Sequence, residues 1–288
     1  VARRVRLDAE LVRRGLARSR EQAVELVNAG RVVVRGMVAR KPATAVETDA
    51  PVLVQPDEDD PGWASRGAHK LIGALDAFEQ AGLSVAGRRC LDAGASTGGF
   101  TDVLLRRDAA EVVAADVGYG QLVWRLRTDD RVRVLDRTNV RALNAEVIGG
   151  PVDLIVADLS FISLRLVLPA LASCAAPGAD LLPMVKPQFE VGRARLGSGG
   201  VVRDPAARVD AVVEVIRVAE SHGLGFRGVV ASPLPGPAGN VEYFLWLRRG
   251  HAVAGPPPAD GSAAPADTPG EPDDIEQAVR AAVREGPR

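Results

Sequence analysis

Lysine is almost missing from this chain. Of 36 basic residues only Lys41, Lys70 and Lys186 are lysines, and arginine holds every other basic position. An ammonium can give up its proton in a suitable pocket and a guanidinium cannot, so a surviving lysine marks a place where arginine does not serve. Aromatics are also scarce, at 4%, which leaves Val, Leu and Ala to build the core. The only cysteines, Cys90 and Cys174, offer neither a disulfide framework nor a zinc spacing, and both lie in apolar runs that predict buried thiols. No His/Cys cluster occurs, so no metal is expected. No run approaches the roughly 18 apolar residues needed to span a bilayer, and no membrane association is expected. Residues Val1 to Arg20 are rich in Arg and hold no long apolar run, which predicts no secretory leader and a cytoplasmic protein.

What is present suits a globular chain with one large domain and one small one: 288 residues, 47% hydrophobic and 25% charged. The net charge of -1 hides an asymmetry. Residues 1–41 carry Arg3, Arg4, Arg6, Arg13, Arg14, Arg18, Arg20, Arg31, Arg35, Arg40 and Lys41 against Asp8, Glu10, Glu21 and Glu25. That local positive excess is the electrostatic footprint of a nucleic-acid binder.

Along residues 1–60 the pattern predicts a helix over Arg6–Arg14 with Leu7, Leu11 and Val12 inward. A second helix follows, opened by Ser19 and Gln22 as a capping box and closed at Gly30. Strands are expected at Arg31–Arg35 and Pro51–Gln55, and the acidic turn-rich run Asp57–Gly62 reads as a linker. Residues 61–250 alternate helical and strand patterns, the mark of a parallel sheet wrapped by helices. Strands are predicted at 89–92, 112–116, 132–135, 154–158, 181–185, 228–232 and 243–247, with an antiparallel edge position for the last. Residues 251–272 are Pro/Ala-rich and expected to be disordered. Residues 273–288 have helical spacing in Ile275, Val279 and Val283.

One strand opens into a glycine-rich turn: Cys90-Leu91-Asp92-Ala93-Gly94-Ala95-Ser96-Thr97-Gly98-Gly99-Phe100. Small residues let backbone approach a ligand, and free amides at the following helix favour polar groups. The spacing is neither the dinucleotide G-x-G-x-x-G nor a phosphate loop. It resembles motif I of S-adenosyl-L-methionine-dependent methyltransferases. Asp116 closes the next strand, where an acid accepts hydrogen bonds from an adenosine ribose.

The runs RLDAELVRRGLARSR, SRGAHKL, CLDAGASTGGFTDVLL, ADVGYGQL, DLIVADLSFISL, VKPQFE and ASPLPGPAGNVEYFLWL together resemble the TlyA-type (haemolysin A family) ribosomal RNA 2′-O-methyltransferases. These are two-domain relatives of FtsJ-like enzymes. The resemblance covers nearly the whole chain apart from the Pro-rich segment. It implies a Rossmann-like class I methyltransferase with a mostly parallel seven-stranded sheet, preceded by a small α+β S-four-type RNA-binding domain. It further implies S-adenosyl-L-methionine as cofactor and ribosomal RNA, or ribosomal subunits, as partner, with cytidines as targets.

A Lys-Asp-Lys-Glu catalytic set is implied at Lys70, Asp158, Lys186 and Glu242. Cofactor contacts fall on Asp92, Gly94, Ser96, Thr97, Gly98, Gly99, Phe100, Asp116, Asn139 and Asp158. RNA contacts fall on Arg3, Arg4, Arg6, Arg14, Arg18 and Arg20, with Arg193 and Arg195 meeting phosphate and His69 a framework residue beside Lys70. Alignment of a ribose hydroxyl can lower a barrier by about 7–11 kcal/mol, and a positioned base adds roughly 10²–10⁴-fold. A free lysine loses its proton only near pH ~10.4, so a lysine base depends on its charged neighbours. Lys186 is expected to be that base, with Lys70 as electrostatic partner.

Two other classes fit the sequence less well. A non-catalytic ribosome-assembly factor would tolerate damage to the four-residue set, which is intact. A membrane-lytic protein would need a spanning segment or a long basic amphipathic helix, whereas the basic helices here are broken at Gly15 and Gly30.

Overall fold

The computed structural model describes residues 4–17, 20–55, 62–192, 195–250 and 272–287, and the chain divides into two compact units, Val1–Gly62 and Trp63–Arg288.

The first unit runs β1 (Arg4–Arg6), α1 (Leu7–Arg13), α2 (Arg20–Asn28), β2 (Val32–Val34), β3 (Met37–Val38), β4 (Ala45–Glu47) and β5 (Val52–Val54). Strand β1 pairs antiparallel with β4, and β2 lies between β3 and β5. Leu7, Leu11, Ala23, Val27 and Val32 form its core, and Val12 only flanks it. The α1 helix starts one residue later than the sequence predicts because Arg6 belongs to β1. Arg35 is not strand: it and Gly36 take positive φ (51° and 79°), the geometry of a two-residue hairpin turn, and this turn joins β2 to β3. Gly30 (φ 72°) ends α2 as expected. The predicted cap Ser19 and part of the predicted linker lie outside the described residues.

Two acids inside α1 hold that helix to its arginines. Asp8 and Glu10 are 3% and 1% exposed. Asp8 accepts from Arg6 Nε (3.1 Å) and Nη2 (2.7 Å), and Glu10 from Arg13 Nε (2.7 Å) and Arg14 Nε (2.6 Å). The guanidinium bonds hold both carboxyls down to about 2.

The second unit contains α3 (Gly67–Glu79), β6 (Arg89–Ala93), α4 (Gly99–Arg106), β7 (Glu111–Ala115), α5 (Trp124–Arg127), β8 (Val132–Leu135) and β9 (Val152–Ala157). It continues with α6 (Leu168–Cys174), β10 (Ala175–Val185), α7 (Pro187–Glu190), α8 (Pro205–Ser221), β11 (Leu224–Ala231), β12 (Tyr243–Arg249) and α9 (Pro272–Glu285). One seven-stranded sheet results, in the order β11-β12-β10-β9-β6-β7-β8. Neighbours from β10 to β8 are parallel, and β12 is antiparallel to both of its neighbours.

β12 is antiparallel as the sequence suggests, but it is not an edge strand. It is inserted between β10 and β11. Tyr243, Phe244, Leu245 and Leu247 are fully buried and Trp246 is 5% exposed. A strand covered on both faces shows an unbroken apolar run, and Tyr243-Phe244-Leu245-Trp246-Leu247 is such a run.

Helices cover both faces. One core joins α6, α8 and α9 to the sheet through Leu168, Leu171, Val212, Ile216, Ile275, Val279 and Ala282. The other joins α3 and α4 through Leu71, Leu75, Phe78, Val103 and Leu104. The C-terminal helix α9 therefore docks on the sheet unit, using Ile275 and Val279 from the predicted spacing, with Val283 at the margin. Both cysteines are buried, and desolvation pushes the Cys90 thiol up to about 12 and the Cys174 thiol to about 11. They are packing residues. Of the predicted disordered stretch 251–272, residues 251–271 lie outside the described ones and Pro272 opens α9.

Candidate active site

The β6–α4 connection lies at the carboxyl end of the parallel strands, where β6 separates β7 from β9 and the chain order reverses. Open α/β sheets bind ligands at such a switch point. Gly94 has φ 90°, and a Cβ added there would lie 2.5 Å from the Asp158 carbonyl oxygen, so glycine is required for that close approach. Its N–H donates to the Ala115 carbonyl (2.8 Å), and the Asp158 N–H donates to the Ala93 carbonyl (3.1 Å). The turn is thus tied to the ends of both neighbouring strands. Ser96 takes φ 47°, unusual for a residue with a side chain.

Asp116 follows β7 and fixes that turn. Its Oδ2 accepts from the Ser96 N–H (2.8 Å) and its Oδ1 from the Gly118 N–H (2.7 Å). Each carboxylate oxygen keeps a further lone pair, so a ligand hydroxyl can still be received. Asp92 lies beneath, fully buried, with the Thr101 hydroxyl donating to Oδ2 (2.7 Å) and, among the described residues, no side-chain or aligned backbone donor on Oδ1. Burial raises its carboxyl to about 7.

Other motif residues face protein. A Cβ on Gly98 (φ 102°) would strike Leu126 and Leu122, and one on Gly99 would strike Ser65 and the Ala68 amide. Phe100 is 4% exposed and packs its ring 5.9 Å from that of Phe244. These three shape the turn through packing. Asn139 is exposed and caps a short 3-10 turn by accepting from the Arg141 N–H (3.0 Å).

The four implied catalytic residues gather at the same end of the sheet as two ion pairs. Lys70, in the first turn of α3, donates to Glu242 Oε2 at 2.6 Å, and Glu242 immediately precedes β12. Glu242 Oε1 has no partner. Gly236 backs onto it, since a Cβ there would lie 2.6 Å away. Lys186 directly follows β10 and Asp158 directly follows β9, with 2.6 Å between Nζ and Oδ1. Lys186 also donates to Ser160 Oγ at 3.0 Å, a partner the sequence reading missed although it stands only two residues past Asp158. Lys70 and Lys186 are 9% and 8% exposed. His69 faces solvent and is no framework residue. Among the described residues, no cluster of acids, histidines or cysteines could hold a metal ion, and no helix is long and apolar enough to cross a membrane.

In the first unit Arg4, Arg6 and Arg20 have well-exposed side chains although each also meets an acid. Arg14 differs: it is largely buried and its guanidinium donates to Glu10 and to the carbonyls of Ala50 (2.7 Å) and Thr48 (3.0 Å). It braces the unit and has little left for phosphate. Arg3, Arg18 and Arg193 lie outside the described residues, and Arg195 pairs with Asp210 (2.7 Å). Arg35, Arg40 and Lys41 line a cleft of about 410 Å³ with Arg4. The positive excess of residues 1–41 pointed to them as a group without singling them out.

The sheet order, its inserted antiparallel strand, the glycine turn and the acid after the next strand define a Rossmann-like class I methyltransferase. A family model for FtsJ-like methyltransferases matches residues 63–249, and one for the S4 domain matches residues 5–52. A curated relative from Mycobacterium tuberculosis, the 16S/23S rRNA (cytidine-2′-O)-methyltransferase TlyA, is 64% identical over 86% of this chain and 91% of its own length. Hemolysin A of Brachyspira hyodysenteriae is 36% identical over 83% of this chain and 98% of its own. A solved structure of a hemolysin-named protein from Streptococcus thermophilus superposes with a TM-score of 0.72 at 35% identity, covering 99% of this chain and 98% of the other. The chain belongs to the FtsJ-like methyltransferase family and carries an S4 domain at its amino-terminal side.

Proposed function

We propose that this protein methylates the ribose 2′-hydroxyl of cytidine in ribosomal RNA, in the small subunit, the large subunit or both, using S-adenosyl-L-methionine, in the cytoplasm where ribosomes are made. The observation that carries the reading is the pairing of Lys70 with Glu242 and Lys186 with Asp158 at the switch point of a methyltransferase sheet. The name of the Mycobacterium tuberculosis relative supports the substrate and the nucleotide, and the S4 domain supports RNA as the partner.

The residues present fit the cofactor. Gly94, Ser96 and Thr97 form a backbone turn held open by Asp116, and Asp92 leaves a buried oxygen unsatisfied beneath it. Asp116 would accept the ribose hydroxyls, the Gly94–Thr97 turn would hold the amino-acid end, and Asn139 would meet the base. When bound, S-adenosyl-L-methionine supplies an electrophilic sulfonium methyl. Lys186 Nζ takes the proton of the attacking 2′-hydroxyl, and the Asp158 carboxylate beside it stabilises the ammonium that forms. Lys70, held by Glu242, supplies positive charge next to the developing alkoxide. The S4 unit anchors RNA through Arg4, Arg6 and Arg20 with the cleft around Lys41. Phosphate neutralisation there makes binding strongly salt-dependent. Two domains, a basic anchor and a catalytic sheet, share the work.

The test is a map of 2′-O-methylated positions in ribosomal RNA from cells with and without the gene, repeated with Lys186→Ala. Loss of a cytidine methylation in both the deletion and the variant is expected. An unchanged map refutes the reading.

A further inference from the structure

Lys186 has two neighbours of different kinds. Asp158 Oδ1 is close, at 2.6 Å, yet it accepts no aligned hydrogen bond. That contact is Coulombic and attracts the amine without fixing its rotation. The aligned bond runs to Ser160 Oγ at 3.0 Å. A hydrogen bond is directional in a way an ion pair is not, so among the described residues Ser160 sets the torsion of the Lys186 amine.

We propose that Ser160 is a positioning residue for Lys186: by receiving one N–H it turns the remaining tetrahedral directions of Nζ toward the substrate hydroxyl. The inference rests on the reading of Lys186 as the base and adds to it the group that aims it. Lys186 is 8% exposed, so its open side is narrow, and Ser160 itself faces solvent.

An exposed serine could hold a lysine only if its own loop were held. Here it is. Glu190, 7% exposed at the end of α7, accepts from Ser163 Oγ (2.6 Å), the Leu164 N–H (2.7 Å) and Arg165 Nε (3.3 Å). Arg165 Nη2 returns to the Glu190 carbonyl (3.1 Å). Ser160 therefore lies on a short segment pinned at Asp158 by the Ala93 carbonyl and at residues 163–165 by Glu190. Since α7 begins right after Lys186, the same clamp joins the loop that carries the serine to the element that carries the lysine. The run VKPQFE thereby acquires a use for its last residue.

The experiment uses the full chain, labelled S-adenosyl-L-methionine and ribosomal RNA. Ser160→Ala is expected to lower kcat by about 10- to 100-fold, the scale of a misaligned reacting group. The KM for RNA and the affinity for S-adenosyl-L-homocysteine are expected to stay essentially unchanged, as is the melting temperature of this exposed site. Ser160→Thr, which keeps the hydroxyl, is expected to recover most of kcat. A wild-type kcat in Ser160→Ala overturns the proposal. So does a loss confined to KM, which would make Ser160 an RNA contact only, or a threonine variant no better than alanine. Lys186→Ala separates the two layers. Activity surviving in it brings down the reading of the site and this role with it. An inactive Lys186→Ala beside an unimpaired Ser160→Ala overturns the serine alone.

Discussion

At the scale of the residue, Lys70 and Lys186, the two lysines of the proposed site, each rest on one carboxylate, so charge alone does not explain why arginine is absent there. Lys186→Arg and Lys70→Arg keep the ion pairs in kind but cannot present a neutral amine, and the planar guanidinium is larger. Lys186→Arg is expected to retain cofactor and RNA binding while methyl transfer falls by at least about 100-fold. Lys70→Arg is expected to be impaired less. Lys41→Arg, which preserves the charge lining the cleft of the first unit, is expected to stay near wild type. Transfer of label into ribosomal RNA measures all three.

Asp92 gives a pH-dependent counterpart. Burial raises its carboxyl from the ordinary range to about 7, so between about pH 4 and pH 7 the folded state keeps a proton that the unfolded state releases. Stability therefore falls as pH rises through that window, and the cost is fully present above it. Asp92→Asn removes the ionisable group. It is expected to melt several degrees above wild type at pH 8, with the gap closing near pH 4. Melting curves across that range decide it; a gap that does not change with pH is the refuting result. The four residues proposed as catalytic were singled out by the family resemblance of the runs that hold them. Their division into two pairs could not be read from the sequence, because pairing depends on which strands become neighbours. Ser160 escaped because an isolated serine has no distinctive pattern.

Elements differ in how loudly they speak. The seven strands of the second unit announce themselves as apolar runs between turn residues, but their lateral order is set by long-range packing that no local window contains. Hence β12 reads correctly as antiparallel and wrongly as an edge. The strands β1, β3 and β4 are two or three residues long with a single Val each, whereas the equally short β2 and β5 are Val-rich runs that stand out. The helix α9 was legible as a helix, and its docking now has consequences. Ile275 and Val279 are 6% and 0% exposed in the same core as α8 and β11. Full burial of such side chains contributes about 1.5–3 kcal/mol each, as an upper estimate. A chain ended after Gly250 is expected to lose about 3–6 kcal/mol of stability in the sheet unit, read from urea unfolding. An unchanged midpoint would mean that α9 is dispensable.

At the scale of the whole molecule, the two units have separate cores, and the proposed function assigns RNA anchoring to the first and chemistry to the second. The second unit alone, from about residue 62, is expected to bind S-adenosyl-L-homocysteine as the full chain does, with RNA affinity greatly reduced and its salt dependence shallower. Filter binding at several salt concentrations tests this, and an intact salt slope would move the anchor elsewhere. The boundary near residue 60 could be read from the acidic, turn-rich run Asp57–Gly62, and the seven surplus positive charges of residues 1–41 pointed to the first unit as the nucleic-acid binder. The insertion of β12 has a further consequence, in time instead of space. Until it emerges, β10 has an open edge and β11 has no partner, so the sheet cannot be completed in the order in which it is made. Glu242 stands at the threshold of that strand, 172 residues after Lys70. At about 5–20 residues per second the ribosome delivers Glu242 some ten to thirty seconds after Lys70. A growing chain therefore carries Lys70 for that interval without its carboxylate partner, and the pair forms only when β12 slides between its two neighbours.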